Sequence, residues 1–159
     1  MKILISKISL FSILILGLIL SCEKKDSENN CNIKQVKYGT SFGTCYGYCK
    51  RDLTLQSGGI TYKKSGWIDT IIPVICTEIL PDSIWHSFQT GLDIDAFFSL
   101  PTTIGCPDCA DGGEEWIDMQ LKNGVKRKVT FEFHNEPVLL KDYVADLREL
   151  MSNSGQNCP

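Results

Sequence analysis

Across residues 116–134 apolar and polar side chains alternate with a period of two, interrupted at Asn123-Gly124. The parity of this alternation restricts how the chain can turn back on itself. A two-residue Asn-Gly loop would set Ile117, Met119 and Leu121 opposite Thr130, Lys128 and Lys126, putting apolar side chains against cations on one face. A three-residue loop, Lys122-Asn123-Gly124, sets Leu121 against Val125 and Ile117 against Val129. We therefore expect a type I turn with Gly124 left-handed in a G1 bulge. A hairpin with one apolar face has to be covered, and the rest of the chain must supply both a sheet and a covering layer.

Residues 33–38 are short and β-prone, with Val36 and Tyr38 on one face, and read as an edge strand. In residues 52–56 Leu53 and Leu55 alternate inward, Ser57-Gly58-Gly59 turns the chain, and residues 60–64 return, which is a hairpin. Residues 67–77 are β-rich, but Pro73 restricts that point to an edge or a bulge. Pro81 opens a helix whose stripe is Ile84, Trp85 and Phe88 and which Gly91 ends; Asp93 caps a second turn carrying Ala96, Phe97, Phe98 and Leu100, stopped by Pro101. A last helix begins at Asn135 or Glu136 with Pro137 in its first turn. It presents Leu140, Tyr143, Val144, Leu147, Leu150 and Met151 on one face, and Gly155 ends it. This order implies an α+β fold: an antiparallel sheet of about five strands, with one or two helices packed on one face and stapled by disulfides.

The start of the chain has a different character. Lys2 and Lys7 precede an apolar run over residues 8–20 that ends in Ser21-Cys22. The run falls short of the roughly 20 residues a membrane-spanning helix needs, so a cleaved leader is expected. It resembles a bacterial lipoprotein signal peptide with Cys22 in the place of the lipidated cysteine. The resemblance implies a signal peptide over residues 1–21 and a mature N-terminus at Cys22 carrying a thioether-linked diacylglycerol and an amide-linked acyl chain, which together anchor stably in a membrane. Residues 23–30 contain no apolar side chain and read as a tether, so the expected organisation is a lipidated tether over 22–31 and a single domain over 32–159. The tether resembles those of surface-exported Bacteroidota lipoproteins, which implies a cell-envelope location at the outer membrane, facing the periplasm or the cell surface.

Export places the cysteines in an oxidising compartment. With Cys22 assigned to lipid, Cys31, Cys45, Cys49, Cys76, Cys106, Cys109 and Cys158 remain, and their odd number leaves a thiol unpaired within one chain. Cys76, in an apolar strand, is the expected buried free thiol. Cys31 and Cys158 flank the domain and are expected to staple its ends. Cys45-x3-Cys49 and Cys106-x2-Cys109 are open to three readings: structural disulfides in any of three pairings, a tetrathiolate zinc or copper(I) site, or a dithiol redox centre at Cys106-Pro107-Asp108-Cys109. Gly112-Gly113 opposes the helix N-terminus that redox chemistry uses, and disulfides fastening the 106–116 loop to the Cys45/Cys49 loop are the expectation.

Other chemistry is sparse. Lys2 and Lys7 account for two of the 16 basic residues, so the remainder sets 14 against 19 acidic ones. Lys126-Arg127-Lys128 is its only basic run of three, which argues against nucleic acid as a partner. Asp108, Asp111, Glu114, Glu115 and Asp118 do not follow an EF-hand spacing and read as a solvated turn. His86 and His134 have no recognisable nucleophile nearby in sequence, and no serine-hydrolase elbow, zinc-protease or phosphate-loop motif occurs.

The run Gly43-Thr44-Cys45-Tyr46-Gly47-Tyr48-Cys49, the Leu53/Leu55 strand, Gly58-Gly59, Phe97-Phe98-Ser99-Leu100-Pro101 and residues 106–116 (CPDCADGGEEW) together resemble a domain of unknown function found in Bacteroidota lipoproteins. The similarity spans about residues 33 to 151 and implies a fold and a location but no activity. The expected protein is thus a lipid-anchored envelope module without catalysis or cofactor, binding a protein or a glycan; the alternative is a thiolate metal-binding or redox protein.

Overall fold

A computed structural model of the chain describes residues 33–67 and 71–159. In chain order these form strands β1 (Ile33–Ser41), β2 (Lys50–Gln56), β3 (Gly59–Ser65) and β4 (Val74–Glu78), then helices α1 (Asp82–Thr90) and α2 (Ile94–Ser99). A two-residue strand β5 (Thr103–Ile104), the hairpin β6 (Glu114–Leu121) and β7 (Lys126–Glu132), and helix α3 (Lys141–Asn157) complete the fold. The strands make one mixed sheet in the order β4-β3-β2-β1-β6-β7-β5. Seven strands and three helices stand where about five strands and one or two helices were expected. The sheet is mixed because β5 runs parallel to β7.

β1 is not the expected edge strand. It is the centre of the sheet, hydrogen-bonded to β2 on one side and β6 on the other. Its exposed Lys34 and Lys37 give it an edge-like pattern, but an antiparallel sheet leaves one face to solvent whatever a strand's position, so outward lysines do not separate edge from centre. On that solvent face Trp116 lies flat over Gly39, where a Cβ would fall inside the indole ring. Lys128 Nζ sits 4.6 Å above the same ring.

The β6–β7 hairpin has the expected register. Ile117 pairs with Val129, the Leu121 amide donates to the Val125 carbonyl at 2.8 Å, and Gly124 has φ +91°. β4 begins directly after Pro73 and occupies a sheet edge, where a missing N–H breaks no ladder. Asp93 caps α2 by accepting the Ala96 amide at 3.0 Å. α3 starts later than expected, after a single tight turn over Val138–Leu140, and runs through Gly155 instead of ending there. A Cβ at Gly155 would lie 3.2 Å from the Tyr62 hydroxyl, so this glycine lets the helix approach β3 closely.

All three helices cover the same face. Trp85 and Phe88 of α1, Ile94 and Phe97 of α2, and Tyr143, Val144, Leu147 and Met151 of α3 join one buried cluster with the inward side chains of the sheet. The two ends of the sheet differ. Where β1 begins, the Ser57-Gly58 and 122–124 turns close the hairpins, and Gln89 of α1 donates to the Ile33 carbonyl. At the opposite end of the sheet lie the loops 42–49, 105–113 and 133–137.

Cys76 is not a free thiol. It is bonded to Cys158, tying edge strand β4 to the end of α3 across 82 residues. Cys158 was expected to pair with Cys31, which lies outside the described residues, as do Cys22 and the segments read as leader and tether. Cys76 is only partly buried, on the edge strand, where the end of α3 brings Cys158 to it. Closing a loop of 82 residues is worth about 4.5 kcal/mol in the chain-entropy account. Replacing both Cys76 and Cys158 by alanine should therefore lower the unfolding free energy by about 4 kcal/mol in denaturant titration, with far-UV dichroism retained in buffer; an unchanged midpoint would mean the staple is not formed.

Candidate functional site

Along the helix-facing side of the sheet the rows of side chains change character toward the loop end. Tyr62, Leu53, Tyr38 and Ile117 stand in register across β3, β2, β1 and β6 and are all buried. The next row outward is Lys64, Arg51, Thr40 and Glu115. This polar row is the floor of an open groove of about 590 Å³. One wall is α3, through Met151, Ser152, Gly155 and Gln156. The other is aromatic: Phe133 packs edge-on against Phe42 at 4.8 Å and against His134 at 4.1 Å between centroids. Tyr48 closes the β3 side, where Lys64 Nζ lies 5.2 Å from its ring.

Two clamps hold the rim. Trp67 Nε1 donates to the Phe42 carbonyl at 2.7 Å, and Lys50 Nζ stacks 3.4 Å from the Trp67 ring centroid. Asp108 accepts the Gly43 amide at 3.2 Å, joining the 105–113 loop to the 42–49 loop.

Beneath the groove lies a charged cluster. Glu115 is fully buried, at the same parity as Ile117 and Met119, and accepts two hydrogen bonds from Arg148 of α3, from Nε at 3.1 Å and from Nη2 at 2.7 Å. Arg148 Nη2 also meets Glu136 at 2.5 Å. Burial weakens the guanidinium's charge, but its hydrogen bonds to Glu115 and Glu136 more than offset this and raise its pKa. The Tyr38 hydroxyl sits beside this cluster, buried, with no hydrogen-bond partner among the described residues. Burial first and the Glu115 charge second raise its pKa, so it stays a neutral phenol at any physiological pH.

The sequence-derived candidates are placed as follows. Cys45 is bonded to Cys49 and Cys106 to Cys109. Each pair closes its own loop, so the expected sulfur link between the loops is absent and the Asp108–Gly43 hydrogen bond takes its place. Local closure fits the 106–113 backbone, in which Asp108, Ala110 and Asp111 all take left-handed φ values of 53–59°. Such residues cost on the order of 1–3 kcal/mol each and need a brace. The four sulfurs proposed as metal ligands are bonded in these two pairs, and among the described residues no three His, Cys, Asp or Glu side chains converge on one point. Of the acidic residues read as a solvated turn, Asp108 and Asp111 lie in the 105–113 loop, whereas Glu114, Glu115 and Asp118 belong to β6, and Glu115 is in the core. His134 lines the groove; His86 is exposed on α1.

Sequence reasoning missed Arg51, Arg148 and Glu115. Only Glu115 left a signal: a carboxylate at an inward position of an alternating strand demands a partner. No protein-family model matches the chain, and no curated protein matches it.

The Glu115–Arg148 pair makes two expectations. Arg148→Ala strands a buried carboxylate and should cost about 3–5 kcal/mol, whereas Glu115→Leu with Arg148→Met removes both charges and should cost far less; chemical denaturation of the three proteins distinguishes them. Arg148 holds the Glu136 carboxyl below its ordinary range through their hydrogen bond. A depressed folded pKa contributes stability that is present above the ordinary glutamate value of about 4.3 and lost as pH falls through the folded value. The stability gap between the natural chain and Glu136→Gln should therefore be open at neutral pH and close below about pH 4, read from denaturation midpoints across the pH range.

Proposed function

We propose that this chain is a lipid-anchored, non-catalytic binding module of the cell envelope, held to the outer membrane through Cys22, whose groove takes up a ligand from the periplasm or the surroundings. The observation that carries this reading is the polarity of the fold. β1 begins at Ile33, on the tether side, and its nine residues rise about 3.3 Å each. The groove floor at Thr40 thus stands about 23 Å from Ile33, where the expected tether enters. A domain tethered at one end and open at the other presents its groove away from the membrane. The groove's volume is within the range of small-ligand sites, roughly 300–1,000 Å³.

The rim supports the same reading. His134, with φ 59°, holds a conformation that folding alone does not favour, and it lines the groove. The Cys45–Cys49 and Cys106–Cys109 bridges each close a short loop at this end of the domain, which suits a rigid rim.

The test is made on the full chain expressed in a bacterium that processes lipoproteins. The natural chain should partition into detergent and incorporate labelled fatty acid, and Cys22→Ser should do neither. Ser152→Trp, which fills the groove from the exposed side of α3, should abolish retention of envelope and extracellular ligands while leaving the melting temperature within a few degrees. Detergent partition of Cys22→Ser equal to that of the natural chain would remove the anchor. Unchanged ligand retention by Ser152→Trp would remove the groove.

A further inference from the structure

Resting on the reading of the groove as a binding site, we infer that its ligand is an acidic oligosaccharide, whose carboxylate is received by Arg51. Of the cations at the groove, Arg148 is spent on Glu115 and Glu136. Lys64 Nζ donates to the Pro159 carbonyl at 2.6 Å and lies 3.4 Å from that of Cys158. Arg51 pairs with no carboxylate or carbonyl among the described residues. It is also directly opposite Lys64 in the β2–β3 ladder. Like charges in register weaken a sheet, and an anion resting on the pair reverses that penalty. The planar guanidinium matches a carboxylate with two parallel hydrogen bonds.

The remaining lining selects the rest of the ligand. The groove floor is the face of the sheet, and β1 is hydrogen-bonded on both edges, so no free backbone ladder is offered to an extended peptide. Contacts must come from side chains. Thr40, Ser152 and Gln156 supply hydroxyl and amide groups that can donate and accept, as sugar hydroxyls require. The rings of Tyr48 and Phe133 on opposite sides of the floor offer apolar faces to the C–H faces of pyranose rings. A row of ring, cation and hydroxyl is the arrangement that a uronic acid chain fits.

The experiment is calorimetric titration of the full chain at low ionic strength with four probes: tetragalacturonate, its methyl ester, neutral cellotetraose and tetraglutamate. Tetragalacturonate should bind, and the methyl ester and cellotetraose should bind at least tenfold more weakly. Arg51→Gln should weaken tetragalacturonate about tenfold or more, the loss of one charge-assisted hydrogen-bonded contact, and Arg51→Lys should fall between, since it keeps the charge without the fork. Circular dichroism confirms that each variant is folded. Equal binding of the ester and the acid, unchanged in Arg51→Gln, overturns the anionic assignment while leaving the groove as a binding site. Tetraglutamate binding as tightly as tetragalacturonate overturns the saccharide. Absence of binding by all four probes overturns the inference, and the Ser152→Trp retention experiment then decides separately whether the groove is a site at all.

Discussion

A central strand that is hydrogen-bonded on both edges and covered on one face determines the layout of everything else in this domain. Each inward side chain of β1 requires cover, and the cover comes from elements distant in sequence: Val36 and Tyr38 lie under helices whose residues are 44 to 121 positions away. α1 and α2 are short, nine and six residues, and protect only the half of the sheet nearest Ile33. α3 is 17 residues long, about 25 Å, and crosses the face alone. Its far side is the groove. The site is thus the part of a sheet face that the helices are too few to cover.

The position of α3 depends on two attachments of different kind. At its end, the covalent bond of Cys158 to Cys76 holds it to edge strand β4. At its middle, Arg148 reaches the buried carboxylate of Glu115 on β6. A buried ion pair of this sort contributes little net stability compared with an apolar pair of the same size, but it strongly penalises any arrangement in which one partner is left alone. Sliding α3 by one turn, about 5.4 Å, would bury Glu115 unpaired. The pair therefore sets where the helix lies, and with it the width of the groove.

How far the sequence carries can be judged residue by residue. The β6–β7 register was legible because parity is a local property: a three-residue loop was the only choice that kept Ile117 and Val129 on one face. The Asp93 cap and the apolar stripe of α3 were legible for the same reason. The centrality of β1 was not, since it depends on β6 returning from 80 residues away to pair with it. β5 consists of two residues and has no pattern to read. Cys76 illustrates the same limit: it is partly buried and not the buried thiol expected, and whether a strand cysteine is a thiol or half of a bridge depends on where residue 158 lands. The groove combines residues from four strands and one helix, so no window of sequence contains it.

The row that ends the core carries the remaining argument. Inward positions on the four middle strands are Tyr62, Leu53, Tyr38 and Ile117 in one row, then Lys64, Arg51, Thr40 and Glu115 in the next. Had folding been the only demand, apolar residues in the second row and a slightly longer α1 or α2 would have closed the core and added about 1.5–3 kcal/mol for each large side chain buried. Instead the second row places two cations in register and a carboxylate that needs its own arginine. The Tyr38 hydroxyl, without a partner beneath them, adds a further cost. Asp52, one position from Arg51 on the solvent face, has its pKa raised by burial against the opposing pull of Lys63, Lys37 and Lys50. Costs concentrated on one row, at the end of the sheet opposite Ile33, are what the proposed binding surface requires and a structural spacer does not.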